Sequence, residues 1–141
     1  METSDVWDNT TSSQRKGTRY LARWKVMLVF DHATSKPTFQ TWIHDLSLTG
    51  ISVQYHSEEK VHTVLTLLLA VPPIEGIPRK IIKLKAKITS SRPYQGGFRL
   101  GMSFTQDSEV DKLRQIIGMY LVSDGILYSG PEAEEFPKLN L

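Results

Sequence analysis

Apolar and polar positions alternate along most of this chain. From Trp24, the residues Trp24, Val26, Leu28 and Phe30 fall on one side and Lys25 and Asp31 on the other, the period-two pattern of a half-buried strand. HATSKP follows as a turn closed by Ser-Lys-Pro. TFQTWIHDL and GISVQY predict two further strands, separated by the polar, glycine-bearing break DLSLTG. VHTVLTLLLAV is apolar almost throughout, and its β-branched residues and the Pro-Pro after it predict a buried strand rather than a helix. After the irregular connection VPPIEGIP, KIIKLKAKI sets Ile82, Leu84, Ala86 and Ile88 against Lys83, Lys85 and Lys87. RPYQGG reads as a turn, and FRLGMSF sets Phe98, Leu100, Met102 and Phe104 against Arg99, Gly101 and Ser103.

The period then changes. Val110, Leu113, Ile117, Tyr120 and Leu121 recur at three- and four-residue intervals, one face of a helix that Asp107 or Ser108 is placed to cap. Six short strands followed by one amphipathic helix predict a mainly-β barrel or sandwich. The helix has to bury its apolar stripe, so it is expected over an open end or flank. We expect a single domain: a flexible, polar arm over residues 1–14, a folded unit over 15–121, and a tail over 122–141 that docks in part through Ile126, Leu127 and Tyr128.

Composition narrows the function. The 141 residues are 40% hydrophobic and 23% charged with a net charge of +2, ordinary for a globular protein. The charge is unevenly placed. Arg15, Lys16, Arg19, Arg23 and Lys25 fall in one stretch without an acid, whereas Glu2, Asp5 and Asp8 precede it and Glu132, Glu134 and Glu135 lie near the end. A local cationic cluster in a near-neutral chain fits a small anion better than a long nucleic acid, which asks for a broad basic face. With no cysteine, disulfides, thiolate metal sites and cysteine nucleophiles are excluded, and a cytoplasmic setting is expected. No apolar run is long enough to cross a membrane as a helix, and METSDVWDNTTSSQ lacks the apolar core of a secretory signal.

The residue inventory gives catalysis little to work with. His32, His44, His56 and His62 show no i, i+4 metal-ligand spacing. His44, Asp45 and Ser47 carry the letters of a triad, but consecutive strand residues face opposite ways and no G-x-S-x-G turn is present. Neither a Walker A motif nor G-x-G-x-x-G occurs. We expect no catalytic residue, no metal and no cofactor.

Two short features remain. Arg19-Tyr-Leu-Ala-Arg23, taken alone, is a solvated charged pair, and Asp45-Leu-Ser47-Leu-Thr-Gly50, taken alone, is a turn or bulge. Together they gain meaning, because a hairpin of residues 24–31 and 38–46 returns the chain to its start and brings Arg23 near Asp45. Arginine forks match phosphate oxygens or the O6/N7 edge of guanine. A carboxylate accepts from guanine N1–H and N2–H, Ser47 donates or accepts nearby, and Gly50 permits close approach to the backbone.

With both motifs at this spacing, before the late FRLGMSF strand and a closing helix, the chain from about Arg15 to Leu121 resembles the PilZ domain family. That resemblance implies a six-stranded antiparallel β-barrel with a C-terminal helix, acting as a receptor for the bacterial second messenger cyclic di-GMP. Arg19 and Arg23 take the roles of the arginine loop, and Asp45, Ser47 and Gly50 those of the strand that meets a guanine. Many ligand-binding members carry a further arginine directly before the first; here that position is Thr18, and Arg15 or Lys16 is the nearest substitute across Gly17. Either one ligand or a stacked pair fits this pattern. We expect binding to fold residues 1–23 over the barrel and so present a new surface to a protein partner. Two other functions compete with this one: a nucleotide-blind adaptor for a motility or secretion apparatus, and single-stranded nucleic-acid binding along Lys83, Lys85 and Lys87 with Tyr20 and Trp24. The first is disfavoured by the intact motif, the second by the simpler reading of the lysine row as a solvated strand face.

Overall fold

The computed structural model describes residues 18–30 and 38–130. The expected turn HATSKP, the arm 1–14 with Arg15, and the chain from 131 onward lie outside the described residues. Six strands are present: β1 (Lys25–Phe30), β2 (Phe39–Leu46), β3 (Gly50–Tyr55), β4 (Val64–Val71), β5 (Lys80–Tyr94) and β6 (Gly97–Phe104). Every pairing is antiparallel, and the order β1-β2-β3-β6-β5-β4 closes on itself because β4 also pairs with β1, from Lys25 opposite Ala70 to Phe30 opposite Leu65. Closure pairs the backbone groups that an open sheet would leave along its edges.

The alternation read from the sequence sets the two faces of the wall. Val26, Leu28, Ile51, Val53, Leu65, Leu67, Leu69, Leu84, Ala86, Ile88 and Leu100 are all within 2% of full burial. Burying each aliphatic side chain of this size contributes about 1.5–3 kcal/mol, which is why one register is held all the way round. Lys83, Lys85, Lys87 and Arg99 fall on the opposite parity and face outward. The β5–β6 hairpin turns at Gln95 and Gly96, both with positive φ. That is the backbone of a two-residue hairpin turn matched to strand twist, and glycine adopts it without strain.

Helix α1 (Val110–Tyr120) buries Leu113, Ile116, Ile117 and Tyr120. Neither Asp107 nor Ser108 caps it: the N-cap is Glu109, with no side-chain capping bond. Ser108 is engaged with β5 instead, its Oγ donating to the Lys85 carbonyl at 2.6 Å and accepting the Lys85 N–H at 2.7 Å. At the far end of α1, Tyr120 packs edge-on to Trp24, with centroids 5.6 Å apart, and donates its hydroxyl to the Pro72 carbonyl at 2.6 Å. The helix therefore lies over the end of the barrel where β1 begins and β4 finishes.

Residues after the helix form a small hairpin, β7 (Leu121–Ser123) and β8 (Ile126–Leu127). Leu127 is buried and Tyr128 packs against the core, while Ile126 is largely exposed. This hairpin grips the segment ahead of β1. Leu21 N–H donates to the Gly125 carbonyl at 2.8 Å and Leu127 N–H to the Leu21 carbonyl at 2.9 Å. One residue earlier, Tyr20 and Leu46 exchange backbone hydrogen bonds of 2.7 and 2.9 Å. Residues 19–23 thus run as an extended strap between the end of β2 and β8, and the two motif arginines share no helix.

Burial, with Tyr128 beside it as a lesser cause, raises the Tyr120 phenol above its ordinary pKa of 10.0. An acid whose folded pKa is raised contributes stability that is present below its unfolded pKa and lost as pH rises. Tyr120→Phe removes the hydroxyl and leaves the Pro72 carbonyl without that donor. Urea unfolding at neutral pH is expected to show a loss of about 1–3 kcal/mol, and the gap between the two proteins should narrow above about pH 10.

Candidate functional site

The outer wall at the β2–β3 junction is built around an irregularity. Ile43 pairs with Val53 but Asp45 pairs with Ser52, so His44 is an extra residue in β2, a β-bulge. Alternation restarts after it, which lets Ile43 and Leu46 both enter the core while Asp45 lies level with Ser52 on the outer wall. Ser52 is in turn opposite Gly101, and its neighbour Gln54 is opposite Arg99 on β6.

Asp45 is the centre of a small polar cluster and is only 8% exposed. Its Oδ1 accepts from Arg19 Nη1 at 3.0 Å and from Ser52 Oγ at 2.9 Å, and its Oδ2 accepts from Arg99 Nη2 at 2.8 Å. Arg99 also reaches Ser52 Oγ through Nε at 3.3 Å and Nη2 at 3.2 Å. The two arginine side chains keep about two-fifths of their surface exposed. One carboxylate is therefore shared by an arginine from the strap and an arginine from the barrel wall.

Ser47 and Gly50 form the next turn. Ser47 Oγ accepts the N–H groups of Thr49 and Gly50, both at 3.1 Å, and Ser47 N–H donates to the Gly50 carbonyl at 2.8 Å. The serine thus satisfies the tight turn from within. Gly50 is required by crowding rather than by a positive φ: a Cβ there would lie 2.3 Å from the Met102 carbonyl oxygen of β6.

Arg23, the second motif arginine, is placed elsewhere. Its backbone N–H donates to Ser129 Oγ at 2.8 Å. It lines both a groove of about 1000 Å³ and a small crevice shared with Lys25, Trp42 and Arg79. Several rings line the groove, among them Trp42, His44, Tyr55 and Tyr94. The Asp45 cluster lies beside the groove, next to His44, rather than inside it. His44 Nε2 and Gln54 Oε1 are 3.0 Å apart, and Gln54 Nε2 donates to the Tyr94 carbonyl at 3.0 Å. With the amide oriented in this way, His44 carries its hydrogen on Nε2. The imidazole also meets the Tyr94 ring edge-on at 5.0 Å. Trp42 is buried, with the Lys25 ammonium 5.4 Å from its ring centroid. Tyr20 packs against the core.

The structure therefore brings Arg19 and Asp45 together, puts Ser47 and Gly50 in the adjoining turn, and sets Arg23 at the groove; Arg15 lies outside the described residues. Sequence reasoning missed Arg99, Ser52, Gln54 and Tyr94. Arg99 and Ser52 occupy ordinary outward positions in alternating strands, and only the β3–β6 register reveals that they converge on Asp45. Among the described residues, no group of three or more His, Asp or Glu side chains is placed to hold a metal ion. Nor is any described helix long and apolar enough to cross a membrane.

Comparison with known proteins agrees with this architecture. The family model described as PilZ domain matches residues 13–122. A search of curated protein sequences finds no match. Among solved structures, the PilZ domain with c-di-GMP of YcgR from Escherichia coli is similar, with a TM-score of 0.55 at 16% identity over 75% of this chain and 90% of that one. The Bacillus subtilis inhibitor of motility (MotI/DgrA) is similar with a TM-score of 0.56 at 16% identity over 71% of this chain. The match spans less than half of that second protein, 46% of its chain. At such identities the likeness is one of fold.

The Gly50 contact gives a direct test of the turn. Gly50→Ala forces β3 away from Met102 of β6, and the loss of stability expected from overpacking is about 1–3 kcal/mol in urea unfolding. A Gly118→Ala control, where nothing lies within 4 Å of the added Cβ, should be neutral or slightly stabilising because alanine favours the helix.

Proposed function

Because the chain belongs to the PilZ domain family, we propose that it is a receptor for cyclic di-GMP, a binding domain rather than an enzyme. The observation that carries this reading is the meeting of the two motifs, Arg19 of R-x-x-x-R with Asp45 of D-x-S-x-x-G, at 3.0 Å on the outer wall of the barrel. The similar YcgR structure, solved with c-di-GMP, supports it.

The chemistry of the ligand fits the groups available. Cyclic di-GMP carries two phosphate charges and two guanines. Asp45 is an acceptor for guanine N1–H and N2–H, while Arg19 and Arg23 offer forks to phosphate oxygens or to the O6/N7 edge. Ser47 holds the turn that presents the carboxylate, and the missing side chain of Gly50 allows β3 to sit close against β6. The aromatic groove beside Arg23 offers ring surfaces for a base. Arg15 adds a further cation ahead of the strap.

We assign the output to the N-terminal segment. The strap from Tyr20 to Ala22 is held on the barrel by its own backbone bonds and burial, so the ordering on binding concerns the chain ahead of Arg19. Charge neutralisation of Arg15, Lys16, Arg19 and Arg23 by the ligand drives it, and a cytoplasmic partner protein reads the new surface. The likeness to an inhibitor of motility supports a partner in the control of movement.

Isothermal titration of the full chain tests the reading. Cyclic di-GMP is expected to bind at micromolar concentration or tighter, and Arg19→Ala or Arg23→Ala to weaken it roughly ten- to a hundredfold. The stoichiometry separates one ligand from a stacked pair. Absence of binding by the unaltered chain would falsify the proposal.

A further inference from the structure

The Asp45 carboxylate has more donors than a ligand-binding acid requires. Two oxygens supply about four lone-pair sites, and three are filled by Arg19, Ser52 and Arg99. A guanine edge brings two parallel donors, one for each oxygen, so one resident donor has to leave. Ser52 and Arg99 sit inside β3 and β6, each paired with strands on both sides. Arg19 sits on the strap. The donor free to be exchanged is therefore Arg19, and the two that stay are Ser52 and Arg99.

Arg99 fixes more than one atom. Its Nε and Nη2 both point at Ser52 Oγ, which occupies the hydroxyl's acceptor sites and leaves its single hydrogen to donate to Asp45 Oδ1. The same Nη2 holds Oδ2 at 2.8 Å. The plane of the carboxylate is set by this fork from the barrel wall. Arg92 lies directly opposite Arg99 on β5, a like-charge neighbour that gives the Arg99 fork no partner on that side. Tyr94 flanks the guanidinium, its ring centroid 5.8 Å from Cζ.

We propose that Arg99 is a third arginine of the nucleotide site, a positioning residue that holds Asp45 through Ser52 so that guanine, rather than adenine, is accepted once Arg19 has moved to the ligand. This rests on the reading of the chain as a cyclic di-GMP receptor. The selectivity follows from the acceptor character of the carboxylate. Guanine presents two donors to it, whereas adenine presents one donor and the acceptor N1, which a fixed carboxylate repels.

The experiment is titration of the full chain with cyclic di-GMP and with cyclic di-AMP, in the wild type, Arg99→Ala, Arg99→Lys, Asp45→Asn and the Arg99→Ala/Asp45→Asn double variant. If the wild type binds neither nucleotide, the receptor reading fails before Arg99 is tested. Given wild-type binding, Arg99→Ala should weaken cyclic di-GMP roughly ten- to a hundredfold and shrink its preference over cyclic di-AMP. Arg99→Lys should recover part of the affinity, because one ammonium supplies charge without the fork that spans Ser52 and Asp45. In the Asp45→Asn background the effect of Arg99→Ala should largely disappear, since the two residues act as one unit. Unchanged affinity in Arg99→Ala, an unchanged nucleotide preference, or losses that simply multiply in the double variant would each overturn the proposal. Thermal melting of every variant identifies any that is unfolded, and Arg99→Lys then decides.

Discussion

The hydrogen-bond ladder that returns from β4 to β1 governs everything else in this molecule. Closing six strands leaves an interior too narrow for anything but side chains; even eight strands leave little more. Trp24, Leu28, Leu67, Leu84 and Leu100 fill it. A ligand therefore has only the outer wall and the ends, and α1 covers one end. Polar chemistry on the outer wall must come from residues of outward parity, from bulges, and from chain segments laid across the strands. All three contribute here: Ser52 and Arg99 by parity, Asp45 beside the His44 bulge, and Arg19 from the strap.

The strands were legible because burial on one face imposes period two. In β1 and β5 the inward residues named from the alternation are the residues found inside; in β6 Leu100 and Met102 are, while Phe98 and Phe104 are only half-buried against the core. The helix was legible for the same reason with a different period, although Leu121, counted in its stripe, is exposed and begins β7, while Ile116 joins Leu113, Ile117 and Tyr120 on the buried face. Its N-terminus was misread: Ser108 follows the local pattern of a cap, but tertiary contact with Lys85 satisfies the hydroxyl instead. Local propensity loses whenever a better partner arrives from far along the chain. The hairpin of β7 and β8 escaped notice because two- and three-residue strands carry too few positions to show any period.

The site divides in the same way. Arg19, Arg23, Asp45, Ser47 and Gly50 were legible as spaced motifs, but the chain return of the β1–β2 hairpin pointed to Arg23 beside Asp45, whereas Tyr20 pairs with Leu46 and so delivers Arg19 to the carboxylate instead. Arg99 was not legible. Nothing local distinguishes it from any solvated arginine on an alternating strand, since its meaning comes from a β3–β6 register joining residues 54 positions apart from Asp45. Gly50 was singled out for closeness to a ligand, and the structure adds a different physical reason, the Met102 carbonyl at its back.

The strap has one further property. Its peptide units are tied on one side to Leu46, next to the Asp45 carboxylate, and on the other to Gly125 and Leu127. Leu21, Leu121, Val122 and Ile126 are exposed apolar residues around that second tie. In mechanical terms the strap is a tie-bar: a few covalent bonds join its Arg19 end, beside the Asp45 carboxylate, to the exposed apolar face around the hairpin.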